Sequence, residues 1–541
     1  MSEIKNSKTQ VRLPVLLSLA VAMGLLFGAG ISGDHETEEN PVLSATKLKE
    51  VLTLIDRNYV DDVDINEITE NTIRNMLHDL DPHSYYIPAR DLDRVNSELQ
   101  GNYEGIGIQF DVVRDTIYVV AALSGGPSER MGIKSGDKIV TVDGENVGGI
   151  GINYQGVYSR LLGPKGSQVK IEIKRRGEKE LLPFLITRDK IPTNSVDVYY
   201  MIAPETGYIK FRNFSSSTYE EVAAAMLELQ REGMKKLILD LQDNRGGYMM
   251  PAVNLADEFL QGNRLILTQK DKDPRSTEKY FAKRKGLFEK GPLIVLIDEG
   301  SASSAEILAG ALQDHDRALI VGRRSFGKGL VQVQYPLSDG SEIRLTISRY
   351  LTPSGRSIQK PYGNGSEYEN DWINRYNHGE FFSADSVKFA DSLKFETAKG
   401  RIVYGGGGIM PDHFVPLDSS YHSTYYTHLF GNNVLREFSY LYSENNRNSL
   451  QEIGFKKFNQ EFRVTAEMFD KIIAIGVDGG VTYNEPGFLK SKPLMEITIK
   501  AFIARSTWGE KEFYQVFNES DEVLQQALKL FDKAEQLALA N

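Results

Sequence analysis

The sequence predicts a multidomain α/β chain, and three observations lead there. Between about residues 195 and 415, apolar runs bounded by turns alternate with helix-patterned stretches, as in a sheet covered by helices. Residues 101–190 change character to short strands separated by glycine turns. Both flanks, 43–100 and 418–541, are charged and read as helical. A chain of 541 residues has room for several domains. Its composition, 41% hydrophobic and 25% charged, is that of a globular protein with an ample core.

The N-terminus reads as an address. Lys5, Lys8 and Arg12 lie in a basic tail, 1–12, and the run 13–31, LPVLLSLAVAMGLLFGAGI, carries no charge. A run of that length just spans a bilayer, and the basic flank keeps its own side cytoplasmic. The expectation is a transmembrane signal anchor. It would make the chain single-pass in the inner (cytoplasmic) membrane, with the bulk in the periplasm or an equivalent exported space. A cleaved signal peptide is the rival, although Gly28-Ala29-Gly30 makes a poor cleavage site.

In 43–100, Leu48, Val51, Leu52 and Ile55 recur at helical spacing. Leu80-Asp81-Pro82-His83-Ser84 interrupts the pattern, because Pro82 pushes its predecessor out of helix. In 101–190 strands are expected at 106–112, 116–120, 137–142 and 168–174, with helices at 127–131 and 152–162. Gly105-Ile106-Gly107-Ile108 opens the first strand, and GIKSGDKI and VDGENV follow. Read alone, GIGI is a strand entry that uses glycine for turn geometry. The order of the pieces resembles a PDZ domain. That resemblance implies that the amides of Gly105, Ile106, Gly107 and Ile108 receive a peptide's terminal carboxylate while the peptide adds to the sheet edge.

In 195–415, Lys236–Leu241 and Leu293–Ile297 read as buried strands, and 219–231 and 250–259 as helices. Residues 361–400 are polar and poorly periodic, and read as an insertion. The extension 418–541 shows no internal repeat.

The chemistry centres on Gly300-Ser301-Ala302-Ser303-Ser304-Ala305-Glu306. Ser303 falls where a buried strand gives way to a helix, a position that exposes a nucleophile to the positive end of the helix dipole. Ser303 and Glu306 also fit a capping box, so the serine has a purely structural reading. Lys328 lies in GRRSFGKG, which matches the spacing of a phosphate loop. Gly329 stands where such a loop needs a hydroxyl, and LVQVQY beyond it is a strand pattern, so that reading is refused. A lysine with apolar neighbours, here Phe326 and Leu330, loses its proton more readily and can replace histidine as the base for a serine. Gly246-Gly247, after the strand 236–241, could aim backbone N–H groups at an oxyanion.

Other classes are excluded. A net charge of -11 without a basic block argues against nucleic acid. The absence of cysteine removes disulfides and thiolate zinc sites and suits an oxidising compartment. The histidines show no metal-binding spacing, and no metal or cofactor is expected. His315 lies about 18 Å down the same helix from Ser303, too far to serve as its base.

Over residues 45–415 the chain resembles the carboxyl-terminal processing (tail-specific) serine protease family. The resemblance is carried by LDPHSYY, LILDLQDNRGG, GSASSAEILAGALQDHDRALIVGRRSFGKGLVQ, IRLTISRYLTPSGRSIQ and GGGGIMPDHFV. It implies Ser303 as nucleophile, Lys328 as general base and Gln332 as the residue that orients the lysine amine. The oxyanion donors would be the amides of Ser304 and of Gly246 or Gly247. Two departures stand out: Ser304 where the family has a small residue, often alanine, and Gln242-Asp243 in a loop often written DLRxNxGG. Glu306 is expected not to pair with the lysine amine, so Glu306→Gln should be tolerated. The expected activity is an endopeptidase that recognises protein C-termini and cuts near them. The alternative is a catalytically silent PDZ scaffold that recruits another protease. A homo-oligomer or a regulatory partner is left open.

Overall fold

The computed structural model describes residues 41–123, 125–363 and 368–539. Residues up to Met76 belong to one compact unit and Leu77–Asn541 to a second. The described part of the first holds the helix Pro41–Asn58 and most of the helix Ile65–His78.

The expected inner-membrane, single-pass placement is corrected. Among the described residues no helix is long and apolar enough to cross a membrane. The longest, Glu485–Thr507, carries Lys490, Lys492, Glu496, Lys500 and Arg505 and is interrupted by Pro493. The tail 1–12 and the run 13–31, on which that expectation rested, lie outside the described residues.

The second unit is organised around a six-stranded sheet. Its order is Val196–Ala203, Thr206–Phe211, Lys236–Asp240, Leu293–Ile297, Leu319–Gly322, His413–Phe414. The first pair is antiparallel and the rest are parallel. Parallel strands are buried on both faces, which is why LIVLI at 293–297 is apolar without alternation. One face packs Leu239, Val295 and Ile297 under the helices Thr218–Arg231, Met249–Asp257 and Ser304–Asp314. The other packs Ile238, Ile294 and Leu296 against Val523, Leu524, Ala527 and Phe531. These last residues lie in the helices Glu522–Leu528 and Phe531–Leu539. The C-terminal extension therefore closes the back of the core sheet. The rest of it forms a helical domain with its own apolar cluster, including Leu429, Phe438, Ile472 and Ile499.

A second sheet flanks the core, in the order Tyr85–Ile87, Glu342–Leu351, Leu265–Asp271, Glu278–Phe281, with Leu330–Pro336 also paired to Glu342–Leu351. It places the residues after Pro82 on the strand Glu342–Leu351, which also pairs with the strand that follows Lys328. A third sheet, in the order Ile108–Val113, Thr116–Ala122, Lys138–Val142, Gln168–Lys174, Leu182–Thr187, encloses Ile117, Ile139, Ile171 and Ile173. The helix Tyr154–Leu161 packs on this core through Val157 and Leu161. The segment 361–400 holds the short helix Asp371–Asn377 and buries Arg375 and Phe381.

Candidate active site

Ser303 stands immediately before the helix Ser304–Asp314 with φ +54° and ψ −113°. An L-residue adopts that backbone only at a cost of about 1–3 kcal/mol, met by the surrounding structure. The surroundings here are specific. Ser301 Oγ donates to Leu241 O at 2.7 Å, Ala302 N–H to Asn244 O at 2.9 Å, and Phe326 N–H to Ser301 O at 2.9 Å. The serine turn is thus tied both to the glycine-pair loop and to the loop that carries Lys328.

Glu306 holds this arrangement together. It is fully buried and accepts four hydrogen bonds: Ser303 N–H (2.8 Å) and Lys328 N–H (2.8 Å) on Oε2, and Gly327 N–H (2.7 Å) and Ser325 Oγ–H (2.5 Å) on Oε1. Burial raises its pKa, and the four donors oppose that rise. The return bond of the expected capping box, Ser303 N–H to Glu306, is therefore present, but the carboxylate also organises the lysine loop. Tyr350, buried on the second sheet, shares its hydroxyl proton between Lys328 O (2.7 Å) and Ser303 O (3.0 Å).

The Lys328 side chain donates through Nζ to Gln332 Oε1 at 2.9 Å. Gln332 follows a break in the register between Leu330–Pro336 and Glu342–Leu351, and such an irregularity re-aims a side chain. Its Nε2 donates to the backbone carbonyl of His83. That contact settles the amide orientation: the nitrogen faces the carbonyl, so the oxygen faces the lysine. His83 is presented by a turn that Asp81 folds, its Oδ1 accepting from the N–H groups of His83 and Ser84 at 2.8 Å each. Burial lowers the Lys328 pKa; Asp81 and Glu306 act to raise it, and Arg344 to lower it. His83 is depressed to about 4, first by burial and then by Lys328, so it is neutral beside the amine. Its Nε2 is hydrogen-bonded to the Tyr368 hydroxyl at 2.5 Å.

The glycine pair lies against the serine turn. A Cβ on Gly246 would sit 2.6 Å from Ala302 O and 2.7 Å from Ser303 Cβ, and one on Gly247 would sit 2.2 Å from Phe214 O. Only glycine fits either position. Gly246 N–H is engaged by Asn244 Oδ1 at 2.9 Å. Among the described residues, the N–H groups of Gly247 and Ser304 meet no protein acceptor. Both departures from the family pattern have structural roles. Ser304 Oγ shares its proton between Gly247 O (3.0 Å) and Tyr248 O (3.1 Å), pinning the glycine loop to the serine turn. Gln242 Nε2 donates to Asp521 Oδ2 at 2.9 Å, tying the same loop to the C-terminal helices.

His315 ends the serine helix, and its Nε2 is 2.6 Å from Leu265 O, away from the site. Gly105–Ile108 lies where Asn102–Gly105, paired with Asp189–Pro192, leads into Ile108–Val113 of the third sheet; Ile106 and Ile108 are buried in that domain's core. Sequence reasoning missed the parts played by Asp81, His83, Asn244 and Tyr350. A signal existed for Asp81 and Asn244, which precede turns and are suited to bond backbone nearby. None existed for Tyr350 or for the His83 carbonyl.

Family models define the class. Residues 205–366 match peptidase family S41, and residues 118–175 match a PDZ domain, so this is a serine peptidase that carries a PDZ domain. Residues 425–509 match a family of unknown function. The chain is 34% identical over 326 residues to a carboxy-terminal-processing protease of Bartonella bacilliformis, covering 60% of this chain and 74% of that one. It is 33% identical over 319 residues to the carboxy-terminal processing protease CtpB of Bacillus subtilis, covering 58% and 65%. A solved photosystem II D1 C-terminal processing protease shares 30% identity, covering 57% and 89%, with a TM-score of 0.33. The chain belongs to the carboxy-terminal processing serine peptidases of family S41.

Proposed function

We propose that Ser303 and Lys328 form the catalytic dyad, with Gln332 orienting the base. The observation that carries this reading is the setting of the Lys328 amine: it is largely buried, and its side-chain hydrogen bond goes to a neutral amide rather than to a carboxylate. A lysine so placed is more readily neutral and able to act as a base. Lys328 Nζ takes the proton from Ser303 Oγ as that oxygen attacks the scissile carbonyl. The lysine returns the proton to the departing amine, and the acyl-enzyme is released by a water that the same lysine activates. The oxyanion is received by the N–H groups of Ser304 and Gly247. Of the two glycines, Gly247 is the better donor, because Gly246 N–H is already engaged.

In this reading residues 101–190 act as the tail-binding PDZ domain, and 195–415, with the segment 361–400, as the protease core. A protein C-terminus lies along Ile108–Val113, with its carboxylate at the amides of Gly105–Ile108. That strand is at the edge of its sheet, which supports strand addition.

The test is labelling with a fluorophosphonate probe and digestion of casein. Wild type should label at Ser303 and degrade casein, whereas Ser303→Ala and Lys328→Ala should do neither. A chain that binds tail peptides but neither labels nor cuts would be the silent scaffold. An amidated peptide that binds as well as its free acid would overturn carboxylate recognition.

A further inference from the structure

The groove of the PDZ domain is closed at one end by its own side chains. Val113 and Thr116 flank the two-residue turn Arg114-Asp115, both residues of which have positive φ. In such a hairpin the flanking pair is hydrogen-bonded across the strands. By alternation, Asp111 also turns its backbone groups to Thr116–Ala122, while Phe110 and Val112 turn theirs to the open edge. An incoming tail would pair with that edge.

Tyr154 lies across it. Asn153 Oδ1 accepts from Gly156 N–H at 2.9 Å and caps the helix, which makes Tyr154 its first residue. The Tyr154 ring lies 5.8 Å from that of Phe110, and Tyr158 packs on the same ring at 5.5 Å. The Tyr154 hydroxyl donates to Asp111 Oδ1 at 3.2 Å. Asp111 points from the opposite side of the strand, and the same Oδ1 accepts from Arg436 Nη1 at 3.0 Å. Arg436 belongs to the helix Val434–Asn445 of the C-terminal domain. The hydroxyl therefore reaches around the strand edge to a carboxylate that the C-terminal domain holds in place.

We infer that Tyr154, fastened by Asp111, is a latch that determines how much of a protein's tail the groove reads. The inference rests on the proposed binding of tails at Ile108–Val113. With the carboxylate at Gly105–Ile108, the third residue from the terminus falls opposite Phe110 and the fifth opposite Val112, since antiparallel partners face each other one for one. The closed latch crosses the strand edge at Asp111, so it stands between the Phe110 position and the one at Val112. Short tails bind without moving it. Longer tails gain nothing from their upstream residues unless Tyr154 swings out.

The experiment uses the full chain with Ser303→Ala, so that the probe is not cut. The probes are a fluorescein-labelled tripeptide and heptapeptide, both alanine-rich and ending in valine with a free carboxyl, read by fluorescence anisotropy. Tyr154→Phe removes one oxygen, and Asp111→Ala removes its acceptor. Each should tighten heptapeptide binding about five-fold, the worth of one ordinary hydrogen bond. Each should leave the tripeptide unchanged, and the double variant should gain no more than either single one. Heptapeptide affinity unchanged or weakened in Tyr154→Phe overturns the latch. If that variant binds both peptides more tightly by the same factor, the hydroxyl is not length-selective and the inference again fails. If no free-acid peptide binds any form, or amidated peptides bind equally, the proposed tail recognition itself fails and takes the latch with it.

Discussion

Ser303 and Lys328 are fastened to a single atom: each donates its backbone N–H to Oε2 of Glu306 at 2.8 Å. The two segments come from opposite ends of the helix and strand that separate them in sequence, and a buried carboxylate sets their spacing. The charge touches the main chain of the lysine, and the amine is turned to Gln332 instead. This arrangement positions Lys328 while its amine bonds a neutral amide and not a carboxylate.

Glu306→Gln should therefore be damaging. The sequence alone suggested tolerance, because Glu306 was not expected to pair with the lysine amine. The structure reverses that expectation. Four donors converge on the carboxylate, and an amide must turn its own N–H₂ towards two of them. Unsatisfied buried donors cost about 1–3 kcal/mol. The variant should lose about that much stability in urea denaturation, and most of its casein-degrading activity. Unchanged stability and rate would show that Glu306 does not set the geometry.

Activity should fall on the acidic side with the titration of Lys328. Its pKa is lowered by burial, so the neutral, competent form is lost as pH falls through that depressed value. His83 is already neutral above about 4 and should add no limb near neutrality. Gln332→Glu places a negative charge beside the amine and sets an oxygen against the His83 carbonyl. The acidic limb of kcat/KM should move to higher pH, and the rate at neutral pH should drop about ten-fold for every pH unit that the limb moves. A limb that stays in place would show that Lys328 is not the titrating base.

Lys328→Arg should be inactive, because a guanidinium stays protonated and cannot accept the serine proton. The double variant Ser303→Ala, Lys328→Ala should lose no more rate than either single change, since the pair acts as a unit. Additive losses, measured in single-turnover peptide cleavage, would separate the two residues mechanistically.

Gly246→Ala and Gly233→Ala make a matched pair. Both glycines have positive φ, +87° and +92°, but an added Cβ meets Ala302 O and Ser303 Cβ in the first and nothing within 4 Å in the second. Each should cost about 1 kcal/mol or more from backbone strain. Only Gly246→Ala should also abolish turnover, by displacing the serine turn. Equal activity in the two variants would show that the glycine loop can move away without consequence.

How much was legible in the sequence follows from range. Local signals located Leu293–Ile297, the serine helix and the strand Gln168–Lys174 closely, because apolar runs and periodicity depend on near neighbours. They also led to Ser303, Lys328 and Gly246-Gly247 as candidates, since a strand-to-helix junction and paired glycines are local chemistry. The anchor expected at 13–31 was a local reading too, and among the described residues nothing answers to it.

Contacts across the fold were set by packing between distant segments. The His83 carbonyl reaches Gln332 because Tyr85–Ile87 pairs with Glu342–Leu351, which also pairs with Leu330–Pro336. Tyr350 spans the Ser303 and Lys328 carbonyls from that same strand. Gln242, a departure from the family pattern in sequence, is matched to Asp521 in the C-terminal helices. Such partners lie far apart in the chain or on separate sheets, and no periodicity records them. Local sequence singled out the residues whose chemistry suits the proposed serine–lysine pair. Tertiary packing decided which buried dipoles and charges face them, because burial and hydrogen bonding are properties of the folded environment and not of the residue.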